Sequence, residues 1–211
     1  MEIISHRGYW INAEEKNTDL AFARSFSNQY GTETDIRDYC GELVISHDIA
    51  NGNSLSIDHF FEIYINNICS GTLALNVKAD GLQEVIKNKL TKHGIENYFF
   101  FDMSIPDTLN YIKHGLNIYS RQSEYEPTPA FYTECRGIWL DAFVNIWFDA
   151  NLINSHLSNG KKVALVSPEL HKRDYFSFWQ MLKDQGFHFK NDIILCTDLP
   201  DHAKKFFNEN E

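Results

Sequence analysis

The sequence predicts an α/β protein built as a compact TIM barrel, a (β/α)8 arrangement. Three observations carry this. Eight short apolar, β-rich runs recur along the chain, and segments with helical spacing separate them. Strands that alternate with helices pair in parallel, because each crossover returns the chain to the same end of the sheet. The length of 211 residues, 43% of them hydrophobic, suits one well-buried core better than two. Residues 1–211 are therefore expected to form a single domain.

The runs lie at 3–5, 32–36, 73–77, 98–101, 117–119, 137–140, 163–166 and 193–196. Between them, Leu20, Ala23, Phe26 and Tyr30 recur every three or four residues. Leu82, Val85, Ile86 and Leu90 do the same, as do Tyr175, Phe178, Trp179 and Leu182. Such spacing gives an apolar stripe on a helix. Asn17 is placed to cap the first helix, and Gly31, Gly94, Gly115 and Gly186 fall where helices should stop. The rival architecture is an open doubly wound sheet. No G-x-G-x-x-G follows the first strand, which removes the dinucleotide-binding version of that fold. A barrel usually takes about 250 residues, so the loops here must be lean. The Pro-rich stretch 124–131 reads as a local turn.

Charge excludes some partners. There are 19 basic and 29 acidic residues, a formal charge of -10. Duplex nucleic acid needs a basic surface, and anionic membranes repel an acidic one. An anionic small molecule stays possible, since a metal ion or a few local cations reverse the field inside a pocket. The four cysteines include no C-x-x-C pair and are expected as free thiols in a reducing compartment. The N-terminal "MEIISHRGYW" lacks the pattern of a signal peptide, and no stretch reaches the ~18 apolar residues of a membrane span. The expectation is a cytoplasmic protein of undetermined oligomeric state.

Active sites of (β/α)8 barrels lie at the C-terminal ends of the strands. The first run ends in Ser5-His6-Arg7-Gly8, and the second carries Glu33 and Asp35. A hairpin-like "LVISHD" then ends in His47 and Asp48. Later runs place Asn76 and Lys78, Asp102, Arg121, Asp141, Ser167, and Thr197-Asp198 at their ends. Glu33 and Asp35 are two apart and project to one face. Adjacent carboxylates repel unless one is protonated or a cation lies between them, and oxygen ligands favour Mg2+ or Ca2+. Taken alone, E-x-D is more often a solvated pair on an edge strand. The Arg7 fork suits phosphate oxygens, and Gly8 allows a ligand close to the backbone. Two histidines, His6 and His47, can serve as acid and base near neutral pH, as phosphodiester cleavage requires.

Other positions carry two readings. Arg121, Glu124 and Tyr125 either recognise an alcohol or form a surface salt bridge. Asp141 either touches ligand or caps a helix. Ser167 and Glu169 invite a similar guess, whereas His171 is expected as an exposed loop residue. Trp10, Trp139 and Trp147 are simplest as core or rim packing.

The segments "SHRG", "EKNTDLAFARSF" and "GTETDIRDYCGELVISHD" together resemble the glycerophosphodiester phosphodiesterase family, part of the barrel superfamily that includes phosphatidylinositol-specific phospholipase C. The likeness in residues and spacing spans 4–48, about a fifth of the chain, with "LNVK" and "TDLP" matching in outline. It implies that His6 and His47 are the acid–base pair, that Arg7 and Lys78 face the phosphate, and that Glu33 and Asp35 bind a divalent metal. The family's third metal ligand is a Glu; here Asn76 holds the position, bringing an oxygen without charge. Lys16 stands where the family has a carboxylate. The short span between His47 and Leu73 lacks the family's usual insertion, so the pocket should be open or differently walled. The expected activity is metal-dependent hydrolysis of a small glycerol- or sugar-linked phosphodiester. Two alternatives stay open: a degenerate barrel that binds a phosphorylated ligand without turnover, and a cyclising phosphodiester lyase.

Overall fold

The computed structural model describes residues 1–208. In chain order its elements are β1 (Glu2–His6), α1 (Asp19–Ser27), β2 (Gly31–Tyr39), β3 (Glu42–Ile45), β4 (Leu55–Ser56), α2 (Ile57–Asn66), β5 (Leu73–Val77), α3 (Gln83–His93), β6 (Tyr98–Phe101), α4 (Ile105–Lys113), β7 (Tyr119–Gln122), β8 (Gly137–Leu140), α5 (Ala150–Ser158), β9 (Lys162–Val166), α6 (Phe176–Asp184), β10 (Ile193–Thr197) and α7 (Pro200–Asn208). Each of the eight expected runs overlaps a strand. The run at 117–119 is shifted, because β7 starts at Tyr119. Asn117 nevertheless continues the ladder: its carbonyl accepts from Phe100 N at 2.8 Å.

The chain resolves into two compact units. One is Ser5–Ile118, and the other joins Met1–Ile4 to the chain from Tyr119 onward. In the first unit, β5 lies parallel between β2 and β6. All five residues of β5 are buried, as they must be when both faces of a parallel sheet are covered. β3 and β4 extend β2 as an antiparallel meander. Helices α1 and α2 meet through aromatic rings, with Phe22 and Phe60 centroids 4.7 Å apart and Phe26 and Tyr64 at 5.1 Å. In the second unit, β7, β8, β9 and β10 pair in sequence, all parallel. Every residue of β10 is buried, and Trp179 of α6 is fully enclosed. The architecture is thus mixed α/β with parallel pairing between the long strands. No helix among the described residues is long and apolar enough to cross a membrane.

Two local expectations are corrected. Thr18, not Asn17, caps α1, its side chain accepting from Ala21 N. Asn17 instead takes a left-handed conformation, φ 59°, and turns its amide elsewhere. Gly8 also has a different reason to be glycine. Its φ is +83°, and an added Cβ would lie 2.7 Å from the Cβ of Ala21. The residue lets β1 run close past α1, which no side chain permits.

Candidate active site

The site is built on His6 and Arg7 at the end of β1 and on β2 and β5, all within Ser5–Ile118. Arg7 follows β1 with φ 60°, a conformation that costs a non-glycine residue about 1–2 kcal/mol. Backbone bonds hold it there: Arg7 N donates to Glu33 O at 2.9 Å, and Asn17 N donates to Arg7 O at 2.9 Å. The turn delivers the Arg7 side chain to β2.

On β2, Glu33 and Asp35 share one face. Parallel register places Asn76 of β5 beside Asp35, about 4.8 Å away across the ladder. Lys78, two residues on, shares the face of Asn76. The three oxygen-bearing side chains therefore converge from two neighbouring strands, and all are buried: Glu33 is 3% exposed, Asp35 0% and Asn76 6%. Cations gather around Asp35. Arg7 Nε lies 3.1 Å from Oδ2 and Lys78 Nζ lies 3.3 Å from Oδ1. Asn17 Nδ2 donates to Oδ2 at 3.0 Å, while its own Oδ1 accepts from Thr34 Oγ1 at 2.8 Å. His6 Nε2 stands 3.8 Å from Glu33 Oε2.

Despite these neighbours, Glu33 Oε2, Asp35 Oδ1 and Asn76 Oδ1 accept no hydrogen bond among the described residues. A buried oxygen left unsatisfied costs about 1–3 kcal/mol, more when charged. Burial first, then the Asp35 charge, pushes the Glu33 carboxyl well above the usual carboxylate range, against the pull of Arg7 and Lys78. Three converging acceptor oxygens that lack donors are what a hard divalent cation requires. The residues thus fit Mg2+ or Ca2+. Among the described residues no three His, Cys, Asp or Glu side chains form a metal cluster.

His47 arrives by the β2–β3 hairpin. Cys40 and Gly41 both have positive φ, 51° and 84°, which gives the type I′ turn that matches strand twist. The turn sets Ile36 opposite Ile45. Ser46 N then bonds Asp35 O at 3.0 Å, so the chain returns to the level of the carboxylates just before His47. The imidazole is half exposed, and its Nδ1 lies 2.8 Å from Asp48 Oδ1. A carboxylate on Nδ1 fixes the ring and leaves Nε2 for proton transfer. His47, Arg7, Lys16, Asn17 and Asp48 line one pocket of about 590 Å3. Asn76 and Lys78, with Asp80 and Asp102, line another of about 640 Å3.

The structure thus brings His6, Arg7, Glu33, Asp35, Asn76 and Lys78 together on one sheet face and places His47 in a pocket with Arg7. Arg121 lies in the second unit. Its Nη1 is 3.1 Å from Asp141 Oδ2, and its guanidinium sits 5.2 Å from the Phe143 ring centroid. Asp141 caps no helix; its Oδ1 accepts from His171 Nε2 and from Ala142 N, each at 2.8 Å. His171 is therefore not a free loop residue, and its ring rests against Phe143. Glu169 is half-buried, with both oxygens engaged by Ser167, Thr197 and Asp198 N. Asn17 is the member of the Asp35 cluster that its reading as a helix cap overlooked. Its place in "EKNT", one residue before a Thr better suited to cap, was the available signal.

No protein-family model matches the sequence, and no curated protein matches it. Solved structures do match. A protein assigned as a glycerophosphodiester phosphodiesterase from Galdieria sulphuraria superposes with a TM-score of 0.77 at 16% identity, over 99% of this chain and 98% of its own. An Oleispira antarctica phosphodiesterase, solved with its product sn-glycerol-3-phosphate, gives 0.73 at 15% identity, over 99% and 97%. The glycerophosphodiester phosphodiesterase of Agrobacterium tumefaciens gives 0.70 at 14% identity, over 98% of both chains. The chain has the fold of these phosphodiesterases. The likeness runs along nearly the whole length of each chain, well beyond the segment 4–48 that resembles the family in sequence.

Proposed function

We propose that the protein is a metal-dependent phosphodiesterase that hydrolyses a small glycerol- or sugar-linked phosphodiester, on a single (β/α)8-barrel domain. One observation carries the reading. Three buried oxygens, on Glu33, Asp35 and Asn76, converge without donors beside two cations, Arg7 and Lys78. A metal and an anion together satisfy that arrangement, and neither alone does. The likeness in fold to phosphodiesterases supports the same reading.

Glu33, Asp35 and Asn76 would hold Mg2+ or Ca2+. When bound, the ion supplies charge neutralisation to the phosphodiester and to the transition state. The chain's own residues do the rest. Arg7 and Lys78 present N–H donors to phosphate oxygens, and both are already oriented by Asp35. Asn17 steadies Asp35 through Oδ2, the oxygen that also faces Arg7, so the carboxylate keeps one geometry. One histidine takes the proton of the nucleophile, either water or a neighbouring substrate hydroxyl. The other gives a proton to the leaving alkoxide. Asp48 orients His47 for this, and Glu33 stands beside His6. A neighbouring hydroxyl as nucleophile makes a cyclic phosphate first.

The test is turnover of bis(p-nitrophenyl) phosphate and of glycerophosphodiesters with Mg2+, Ca2+ or EDTA. Release with metal and none with EDTA is expected. His47→Ala should lower kcat by about two to four orders of magnitude; near-normal kcat in that variant sinks its assignment. A second reading, a barrel that binds a phosphorylated ligand without turnover, draws on the uncharged Asn76. Absence of release under every metal, with retained phosphate binding, selects it.

A further inference from the structure

We infer that Arg37 is a positioning residue for His47, its guanidinium tying the turn that carries the imidazole to the end of β5; this rests on the phosphodiesterase reading of the site. Along β2, Glu33, Asp35 and Arg37 stand at alternate positions and share one face. The first two are read as metal ligands, and the third has had no role. Its bonds give it one. Arg37 is half-buried, yet its donors go to backbone carbonyls rather than to a carboxylate. Nη1 donates to Asp48 O at 2.7 Å, and Nη2 donates to Lys78 O at 3.4 Å. The two carbonyls belong to the two segments that carry His47 and Lys78.

The His47 turn depends on such a tie. After Ser46 the chain leaves the core, and it returns only at Ala50. The Asp48 side chain is 92% exposed and Ile49 is 88% exposed, so packing holds little of the turn. Hydrogen bonds to its backbone must place the ring. On the near side, Ser46 N donates to Asp35 O at 3.0 Å. Ser46 Oγ donates to Asp48 O at 3.0 Å, a bond inside the turn itself. On the far side, the Arg37 bond to Asp48 O connects the turn to the sheet, and a charged donor makes it stronger than a neutral one. The end of β5 is fixed independently, since Lys78 N donates to Ile36 O at 2.8 Å. β5 is therefore the anchor, and the His47 turn is the part held. Two nitrogens of one rigid plane reach carbonyls on separate segments, which a single ammonium does not.

The experiment measures kcat and KM for bis(p-nitrophenyl) phosphate and glycerophosphoethanolamine, with metal, in Arg37→Met and Arg37→Lys. Arg37→Met is also made in the His47→Ala background. A shift of a reacting group by about 1 Å costs up to about a hundredfold in rate. Arg37→Met should lower kcat by about tenfold to a hundredfold, with KM within about twofold of wild type. Arg37→Lys keeps the charge but not the fork, and should lose nearly as much. With His47 absent there is no ring to position, so Arg37→Met should then cost less than about twofold. Near-normal kcat in Arg37→Met, an equal loss in both backgrounds, or full activity in Arg37→Lys overturns the inference. Amide hydrogen exchange reads the clamp without turnover. In Arg37→Met, Ser46 N should exchange at least about tenfold faster, while Thr32 N, bonded to Thr72 O near the other end of β2, should not change. If wild type cleaves no diester and Ser46 still loosens in the variant, the phosphodiesterase reading falls and the clamp stands. Unchanged exchange at Ser46 overturns the clamp whether or not the protein turns over a diester.

Discussion

Each unit of the chain buries a carboxylate beside an arginine, and the two clusters end in opposite states. In the second unit, Asp141 accepts from Arg121, His171 and Ala142 N, and Glu169 accepts from Ser167, Thr197 and Asp198 N. Each oxygen of both carboxylates has a donor. In the first unit, Glu33 Oε2, Asp35 Oδ1 and Asn76 Oδ1 have none, although Arg7 and Lys78 stand close. The residue types are nearly the same, so composition does not separate them. Satisfaction does. A closed network holds a fold together, whereas an open one is held in place for a group that arrives later.

Substitutions at the two clusters should therefore part ways, and this is the largest effect expected. Glu33→Gln removes a buried carboxyl that faces Asp35 without a donor. The metal-free protein should melt at the same temperature or higher, while metal-dependent kcat falls by two orders of magnitude or more. A marked loss of Tm in metal-free Glu33→Gln removes the distinction drawn between the clusters. Asp141→Ala does the reverse to stability. It leaves Arg121 and His171 without their buried partner and should cost about 3–5 kcal/mol, read by denaturant unfolding. A loss below about 1 kcal/mol would show that the closed network is not structural.

Asn76 offers a sharper, smaller test of the open cluster. It lies beside Asp35 in register but brings a neutral oxygen. Carboxylate ligands raise affinity for hard cations through their charge. Asn76→Glu should tighten Mg2+ or Ca2+ binding by roughly tenfold in calorimetry. It should also raise the Tm gained on adding metal, since a ligand that binds only the folded state stabilises it by mass action. Unchanged metal affinity would place the ion away from Asn76.

The sequence made the strands and the site unequally visible. Most of the strands show as apolar runs because burial on both faces leaves little polar alternation to confuse the pattern; β7, Tyr-Ser-Arg-Gln, is the exception, and the run read for it lies just before it. Glu33, Asp35, Asn76 and Lys78 are legible for a related reason: charge in an otherwise apolar run stands out. Asn17 was not legible as a site residue, because Asn before a helix is equally good as a cap, and only tertiary structure shows its amide spent on Asp35 and Thr34. His171 was read as an exposed loop residue, since nothing local reveals a partner thirty residues away, just past β8. Gly8 looked like room for a ligand, yet it makes room for Ala21. In each case the missing quantity is a contact between elements distant in sequence, which neither periodicity nor composition encodes.

The smallest effect expected lies again in the closed unit and concerns pH. His156 is buried, its Nε2 2.7 Å from Gln122 Oε1 and its Nδ1 2.9 Å from Tyr132 Oη. Burial holds its pKa below the ordinary 6.5. The folded chain then binds fewer protons at this site than the unfolded chain does between the two values. Its contribution to stability is complete above about 6.5 and is lost progressively as pH falls through that value. His59 in the first unit works with the opposite sign. Its hydrogen bond to Asp19, against some burial, raises its pKa, so its contribution is present in acid and lost as pH rises. A Tm profile from pH 5 to 7.5 on wild type mixes the two. His156→Gln keeps a hydrogen-bonding side chain but cannot titrate, so the loss of Tm on acidification should shrink while Tm at pH 7.5 changes little. An unchanged acid slope in that variant would mean that His156 titrates in the folded protein as it does in the unfolded chain, and that the closed network is less dry than its hydrogen bonds imply.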